Sequence, residues 1–314
     1  MRNASGYNSS RLTRKPRRSL SKRNLREWGW GYLMVAPTII GLIILNIIPM
    51  FQSLYMSLCK SCAFGRGDIF IGLDNYRKLI NDAEVWRAVL NTVEYMLLVV
   101  PIGVVLSMLL AVALNRKIVG KTIYRVIYFI PMVAAPAAVT MMWRWIYNTH
   151  YGILNYVLES VGLNPESWIE NPKIAIFSIA FIGIWSTVGY NMVLILAGLQ
   201  EIPKEYYEAS SLDGASPLRQ LVSITIPMVS PTLFFVVITS IISAMQVFDV
   251  IFMMVDFANP AYQKTVSLVY LFYNNSFKYS NKGYGSAIVT LLLVIILVLT
   301  AIQNRLQKKW VYYD

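Results

Sequence analysis

The 314-residue sequence predicts an all-α integral membrane protein with about six transmembrane helices, and three features carry that expectation. The chain is 56% hydrophobic and only 14% charged, which is more apolar surface than a soluble domain of this size can hide. Six apolar runs lie near 30–58, 88–114, 123–147, 174–199, 221–255 and 285–303. Each is long enough for a hydrocarbon core about 30 Å thick, which takes roughly 20 helical residues to cross. The polar stretches between the runs, roughly 10 to 30 residues each, are too short for an independent soluble domain.

Residues 1–29 are a different material. Arg11, Arg14, Lys15, Arg17, Arg18, Lys22, Arg23 and Arg26 stand among Ser, Asn and Pro with only Glu27 to oppose them, so this tail is expected to be largely disordered. A signal peptide does not fit, because the following apolar run is nearly 30 residues long and lacks a small-x-small cleavage site. One membrane domain is expected over 30–304, with a short tail at 305–314. Lys and Arg gather in cytoplasmic loops. Segments 1–29, 115–125, 200–220 and 304–314 hold 18 of them in 72 residues, against 10 in the 88 residues of 59–87, 144–173 and 256–284. Both termini are therefore expected in the cytoplasm. The net charge of +12 is explained by a basic inner rim facing anionic lipid, and no nucleic-acid partner is expected.

The apolar runs are interrupted by Pro37 and Pro49 in the first, Pro101 in the second, and Pro131 and Pro136 in the third. Prolines are tolerated in membrane helices where a neighbour or a cavity satisfies the freed carbonyls. The fifth run, 35 residues, would be about 52 Å long as one straight helix, so a break at Pro227 and Pro231 is expected. Residues 72–90 read as an amphipathic element at the outer interface, with Asp74 and Asp82 as helix caps. Trp28, Trp30, Trp86, Trp143, Trp145 and Trp310 fall near membrane borders as an aromatic belt. Cys59 and Cys62 form a lone C-x-x-C with His150 as the only histidine, a weak metal or redox signal; incidental thiols are the preferred reading and a local disulfide the second.

The inner loop from Gln200 to Pro231 carries more pattern than a tether needs. Pro203 suits the first turn of a helix through Glu205, Tyr206, Tyr207, Glu208 and Ala209; Gly214 allows the turn that ends it, and Pro217 starts a second helix. The two form a knuckle shaped for a socket on another protein. The loop resembles the EAA loop of binding-protein-dependent ABC importers, whose pattern is E-A-A, three residues, G, nine residues, I-x-L-P. The matching positions are Glu208, Ala209, Ser210, Gly214, Ile224, Ile226 and Pro227, with Ser for the second Ala and Ile for Leu as the departures. The stretches APTIIGLIILNIIPMFQSLYMSL, FIGLDNYRKLI and GYGSAIVTLLLVIILVL are similar to the carbohydrate-uptake branch of that family, its MalF-like or UgpA-like permeases. One stretch departs: VDFANP stands where the branch usually has TGGGP.

The resemblance implies a type I ABC importer permease (MetI-like) fold in a bacterial or archaeal plasma membrane. It implies a second homologous permease subunit, two cytoplasmic ATPase subunits that bind ATP and Mg, an extracytoplasmic solute-binding protein and a sugar substrate, with no cofactor in this chain. It assigns Glu208, Ala209, Ser210, Asp213, Gly214, Ile224 and Pro227 to ATPase coupling. A sugar path wants aromatic rings beside amide and hydroxyl groups. Gly183, Thr187 and Tyr190 stand at i, i+4 and i+7 on one stripe of the fourth run, with Asn191 at its margin, and the family's substrate helix matches there. In the fifth run Ser243, Gln246 and Asp249 recur every three residues, rotating by about 60° per step, so they cannot all face one ligand. Asp249 is read equally as a solute contact or a structural partner across the subunit interface. Met245 and Phe248 fall where the maltose-type permease touches its sugar.

Three rivals differ in kind. A membrane enzyme lacks support, since there is no H-E-x-x-H, no G-x-S-x-G and no phosphate-cradling glycine loop. A secondary transporter also uses broken helices but needs an ion-coupling site and no knuckle. A passive scaffold would show no solute-stimulated ATP hydrolysis.

Overall fold

The computed structural model describes residues 22–61, 68–116 and 118–310. Residues 1–21 of the basic tail, Cys62, and the last four residues of the C-terminal tail lie outside the described residues. The chain divides into two units, Met1–Gln52 and Ser53–Asp314. In the first, a helix begins at Lys22, inside the stretch expected to be disordered, and runs to Leu42 with Pro37 within it. It passes through a π-helical turn at Ile43–Ile47, which keeps the helix going through one extra residue.

The second unit opens with an unanticipated hairpin in which Cys59–Ser61 pairs antiparallel with Asp68–Phe70. Cys59 is buried with a free thiol. The expected amphipathic element is a helix at Asp74–Asn81, but Leu73 is its N-cap and Asp74 is already helical. Asp82 caps as expected, accepting from Glu84 N at 2.9 Å. It opens the second span, Ala83–Asn115, a helix of 33 residues.

The third apolar run is not one straight span. Lys121–Val133 and Pro136–Ile146 meet at 98°. Pro136 forces Ala135 into an extended conformation (φ −59°, ψ 131°), because its ring clashes with a helical predecessor. With this bent pair counted once, the described residues hold six candidate spans: the pair, Trp28–Ser57, Ala83–Asn115, Ala175–Glu201, Ser230–Met254 and Lys282–Lys308.

Ala175–Glu201, the fourth span, is the centre of the unit. Over half of its most apolar window is buried (56%), against about a third for the second and sixth spans (33% each). Two apolar clusters are arranged along it. One joins Ile179 and Ile182 to Val99, Trp143, Met245, Tyr270 and Ile288; the other joins Met192, Ile195 and Leu199 to Ala111, Leu114, Val229 and Val236. Ser107 ties the second span to the fourth, donating to Val188 O at 3.0 Å as well as to its own Gly103 O at 2.7 Å. Beyond the bent pair, Tyr147 donates to Ser178 O at 3.0 Å, and burial pushes its phenol above the ordinary range, so it stays a neutral donor.

The fifth run breaks where expected and once more where not. A π-helical turn at Leu221–Thr225 and a short helix at Ile226–Met228 precede the span, which restarts at Ser230 with Pro231 in its first turn. The helix then ends at Met245 and resumes at Asp249–Met254. No proline or glycine marks this second break. Ser267 satisfies the freed backbone, donating to Val247 O at 2.7 Å. The last helix, Lys282–Trp310, extends past the expected end at 303 and through most of the supposed tail.

Candidate functional site

Two places gather the sequence-predicted residues. The first is a cavity of ≈ 130 Å³ among the second, fourth and fifth spans and the end of Lys121–Val133. Thr187, Tyr190, Asn191 and Ser243 line it together with Tyr95, Val99, Met132, Thr239, Ser240 and Ala244. The 3.6-residue period brings Thr187, Tyr190 and Asn191 to one side of the fourth span. Asn191 is buried and donates through Nδ2 to Ser240 Oγ across the interface at 3.1 Å. Thr187 and Thr239 spend their hydroxyls on their own helices, at Gly183 O (2.8 Å) and Phe235 O (2.9 Å). The Tyr95, Tyr190 and Ser243 hydroxyls have no hydrogen-bond partner among the described residues.

Other members of the predicted path sit elsewhere. Gly183 is buried beneath Tyr95, where a Cβ would overlap the phenol hydroxyl, so it makes room for a lining residue and does not itself line the cavity. Met245 is fully enclosed in the core at 0% exposure and offers no surface to a solute. Phe248 stacks on Phe252 at 5.0 Å and leans on Tyr273 at 5.2 Å. Gln246 is exposed within the break and Asp249 is exposed just after it. The 60° progression from Ser243 to Asp249 does not apply, because it assumes a continuous helix and 246–248 are unwound. Asp249 occupies the first turn of Asp249–Met254, where free amides favour a carboxylate.

Sequence reasoning missed Tyr95, Met132, Thr239 and Ser240. Tyr95 had a signal, a polar strip of Asn91, Thr92 and Tyr95 on an otherwise apolar helix. The first two hold the chain segment before Leu268: Asn91 donates to Gln263 O and Val266 O at 3.0 and 3.1 Å, and Thr92 accepts from Leu268 N at 3.1 Å. Tyr95 is left for the cavity.

The second place is the knuckle. Pro203 is the N-cap of Lys204–Leu212, one residue earlier than the first turn expected of it. The helix ends in a Schellman arrangement: Ala215 N bonds Ser210 O at 3.0 Å and Gly214 N bonds Ser211 O at 3.1 Å, with Gly214 at φ +75°. Only glycine holds that φ without strain. Ser216 then caps Pro217–Gln220, accepting from Arg219 N. Gln220 returns to the first helix, its Nε2 donating to Ser210 Oγ at 3.0 Å and Ser211 Oγ at 2.9 Å. Tyr207 and Thr225 bridge hydroxyl to hydroxyl at 3.0 Å, and Tyr207, Ile226 and Met228 pack on the second apolar cluster. Ile224 and Pro227 are half-buried in this root. Glu208, Ala209 and Asp213 are exposed on the crown, beside Leu212 at 90% and Leu218 at 71% exposure.

A helical chain with several membrane-crossing segments, a polar cavity among them and a rigid knuckle at one end belongs to the class of multi-pass transport subunits. Residues 103–312 match the family described as "Binding-protein-dependent transport system inner membrane component", and the chain belongs to that family. It is 32% identical over 288 residues to the trehalose/maltose transport system permease protein MalF of Thermococcus litoralis, covering 92% of this chain and 97% of that protein. It is 34% identical over 283 residues to the sn-glycerol-3-phosphate transport system permease protein UgpA of Agrobacterium fabrum, covering 90% and 96%. A bacterial alginate ABC transporter, solved with an alginate pentasaccharide-bound periplasmic protein, contains a chain of the same fold: TM-score 0.82 at 20% identity, over 93% of this chain and 98% of that one.

Proposed function

We propose that this chain is one permease half of an ATP-driven carbohydrate importer in a bacterial or archaeal plasma membrane. It works with a second permease of similar fold, two cytoplasmic ATPase subunits and a solute-binding protein on the outside. Both termini and the knuckle face the cytoplasm, in keeping with the Lys and Arg asymmetry. The chain itself holds no nucleotide; ATP and Mg belong to the ATPase partners. The trehalose/maltose relative and the hydroxyl-lined cavity support the carbohydrate assignment.

The observation that carries the reading is the locked knuckle. Hydrolysis outside the membrane moves a solute within it only through a rigid link. Here Gln220 fastens one short helix to the other, while Tyr207, Ile226 and Met228 root both in the core beside the fourth span. Its crown offers a carboxylate, Glu208, beside exposed Leu212 and Leu218, a surface suited to a socket with a basic rim. Truncating one partner of a desolvated charge pair typically costs about 2–5 kcal/mol. Glu208→Ala is expected to weaken ATPase attachment or uncouple hydrolysis from solute, and Gly214→Val to do the same by reshaping the crown. Co-purification of the ATPase and solute-stimulated hydrolysis in reconstituted vesicles, measured together, test this. Wild-type values of both in both variants would remove the knuckle from the mechanism.

A further inference from the structure

We infer that the solute passing this cavity is electrically neutral, a polyhydroxylated molecule and not a phosphate ester, a uronate or an amine. The inference rests on reading the cavity as part of the solute path. Sequence similarity does not decide the point, since relatives at 32% and 34% identity are named for trehalose/maltose and for glycerol-3-phosphate.

The lining that this chain contributes carries the inference. Tyr95, Tyr190 and Ser243 present hydroxyls with no partner among the described residues, and each can donate and accept. Asn191 has committed one amide hydrogen to Ser240 and keeps its carbonyl oxygen as an acceptor. Among the described residues, no Lys, Arg, His, Asp or Glu lines the cavity. A mixed set of donors and acceptors without charge matches sugar hydroxyls, whereas an ion at this depth costs several kcal/mol unless an opposite charge meets it. The nearest cation on a lining helix is Arg125, seven residues before Met132, or about 10 Å along the axis. Two carboxylates stand near without lining it, Asp249 across the break and Glu94, exposed beside Tyr95 and lining a separate cavity. Both have the wrong sign for an anion, and neither lies in the cavity to meet an amine.

The test uses cells carrying the complete transporter, incubated with a defined mixture. Neutral mono- to tetrasaccharides and polyols are combined with glycerol-3-phosphate, galacturonate and glucosamine, and depletion from the medium is followed by mass spectrometry. One or more neutral members are expected to be depleted and the charged members spared. The double variant Tyr190→Phe, Ser243→Ala removes two hydroxyls worth about 1 kcal/mol each, so uptake is expected to fall about tenfold or more, with the assembled complex at its normal level on affinity purification. Depletion of a charged member that slows in the double variant would overturn neutrality while leaving the cavity on the path. Depletion unaffected by the double variant would remove the cavity from the path, and the inference with it. Depletion of no neutral member rejects the inference outright.

Discussion

Gly183 on the fourth span lies directly beneath the Tyr95 hydroxyl of the second, so close that a Cβ at Gly183 would overlap the oxygen. The glycine thereby sets where a cavity-lining phenol rests. Gly183→Ala is expected to push Tyr95 out of place, with an overpacking cost of about 1–3 kcal/mol and a fall in uptake. Tyr95→Phe removes the overlapping atom and leaves the ring carbon 3.1 Å from the new methyl. The double variant is therefore expected to recover most of the lost thermal stability of the purified complex. Additive losses in the double-mutant cycle would break the proposed relationship.

The knuckle makes a second prediction about its internal clamp. Gln220→Ala deletes the bonds to Ser210 and Ser211 but leaves every exposed crown residue in place. Attachment of the ATPase is expected to weaken only slightly, while solute-stimulated hydrolysis falls, because the two helices no longer move as one. Gly214→Ala meets open space but must hold φ +75°, at a cost of about 1–2 kcal/mol. Proteolysis within 204–220 is expected to accelerate in both variants, and unchanged cleavage rates would show that the clamp is redundant.

Ser267 supports the break in the fifth span. Its hydroxyl donates to Val247 O at 2.7 Å and accepts from Tyr270 N at 3.2 Å. Ser267→Ala strands the part-buried Val247 carbonyl and removes a helix cap, for a loss of roughly 1–3 kcal/mol. Ser267→Thr keeps the hydroxyl and is expected to retain most of the stability. Equal melting temperatures for the alanine and wild-type complexes would discount this bond.

At the start of the second and sixth spans, Tyr284 donates to Asp82 Oδ2 at 2.5 Å while Lys78 Nζ sits 4.2 Å from the Tyr284 ring centroid. Tyr284→Phe spares the ring contact and removes only the hydroxyl. A loss of about 1–2 kcal/mol is expected, at the low end for a bond to a charged group because Asp82 is half-exposed. Asp82→Ala also removes the cap on Glu84 N and is expected to cost more. Thermal denaturation of the two variants should preserve that order.

Legibility in the sequence followed the range of the interactions. Gly214, Pro217 and Asp82 act on the turn that contains them, so their effects showed in local spacing. Pro136 announced a break but not its 98° angle, which depends on how two short helices seat on the rest of the unit. The unwinding at 246–248 left no local trace because its support, Ser267, lies 20 residues further on. Tyr95 joins the cavity through packing against a span that begins 80 residues later, at Ala175, and no period along one helix reports such a meeting. Met245 was misplaced for a different reason. It was put on the path by its likeness to the contact position of the maltose-type permease, while here the helix ends at that residue with its side chain buried in the core.

The interruption at 246–248 also has a mechanical meaning. A continuous α-helix is a stiff rod, and one that loses its ladder over three residues bends there before it bends anywhere else. The half of the fifth span nearer the knuckle is joined through Leu233 and Val236 to the apolar cluster in which the knuckle is rooted, whereas the half beyond the break carries Phe252 into the aromatic group with Tyr270 and Tyr273. The three unwound residues thus separate a segment packed with the root of the knuckle from a segment packed among aromatic rings, and the span is least stiff between the two.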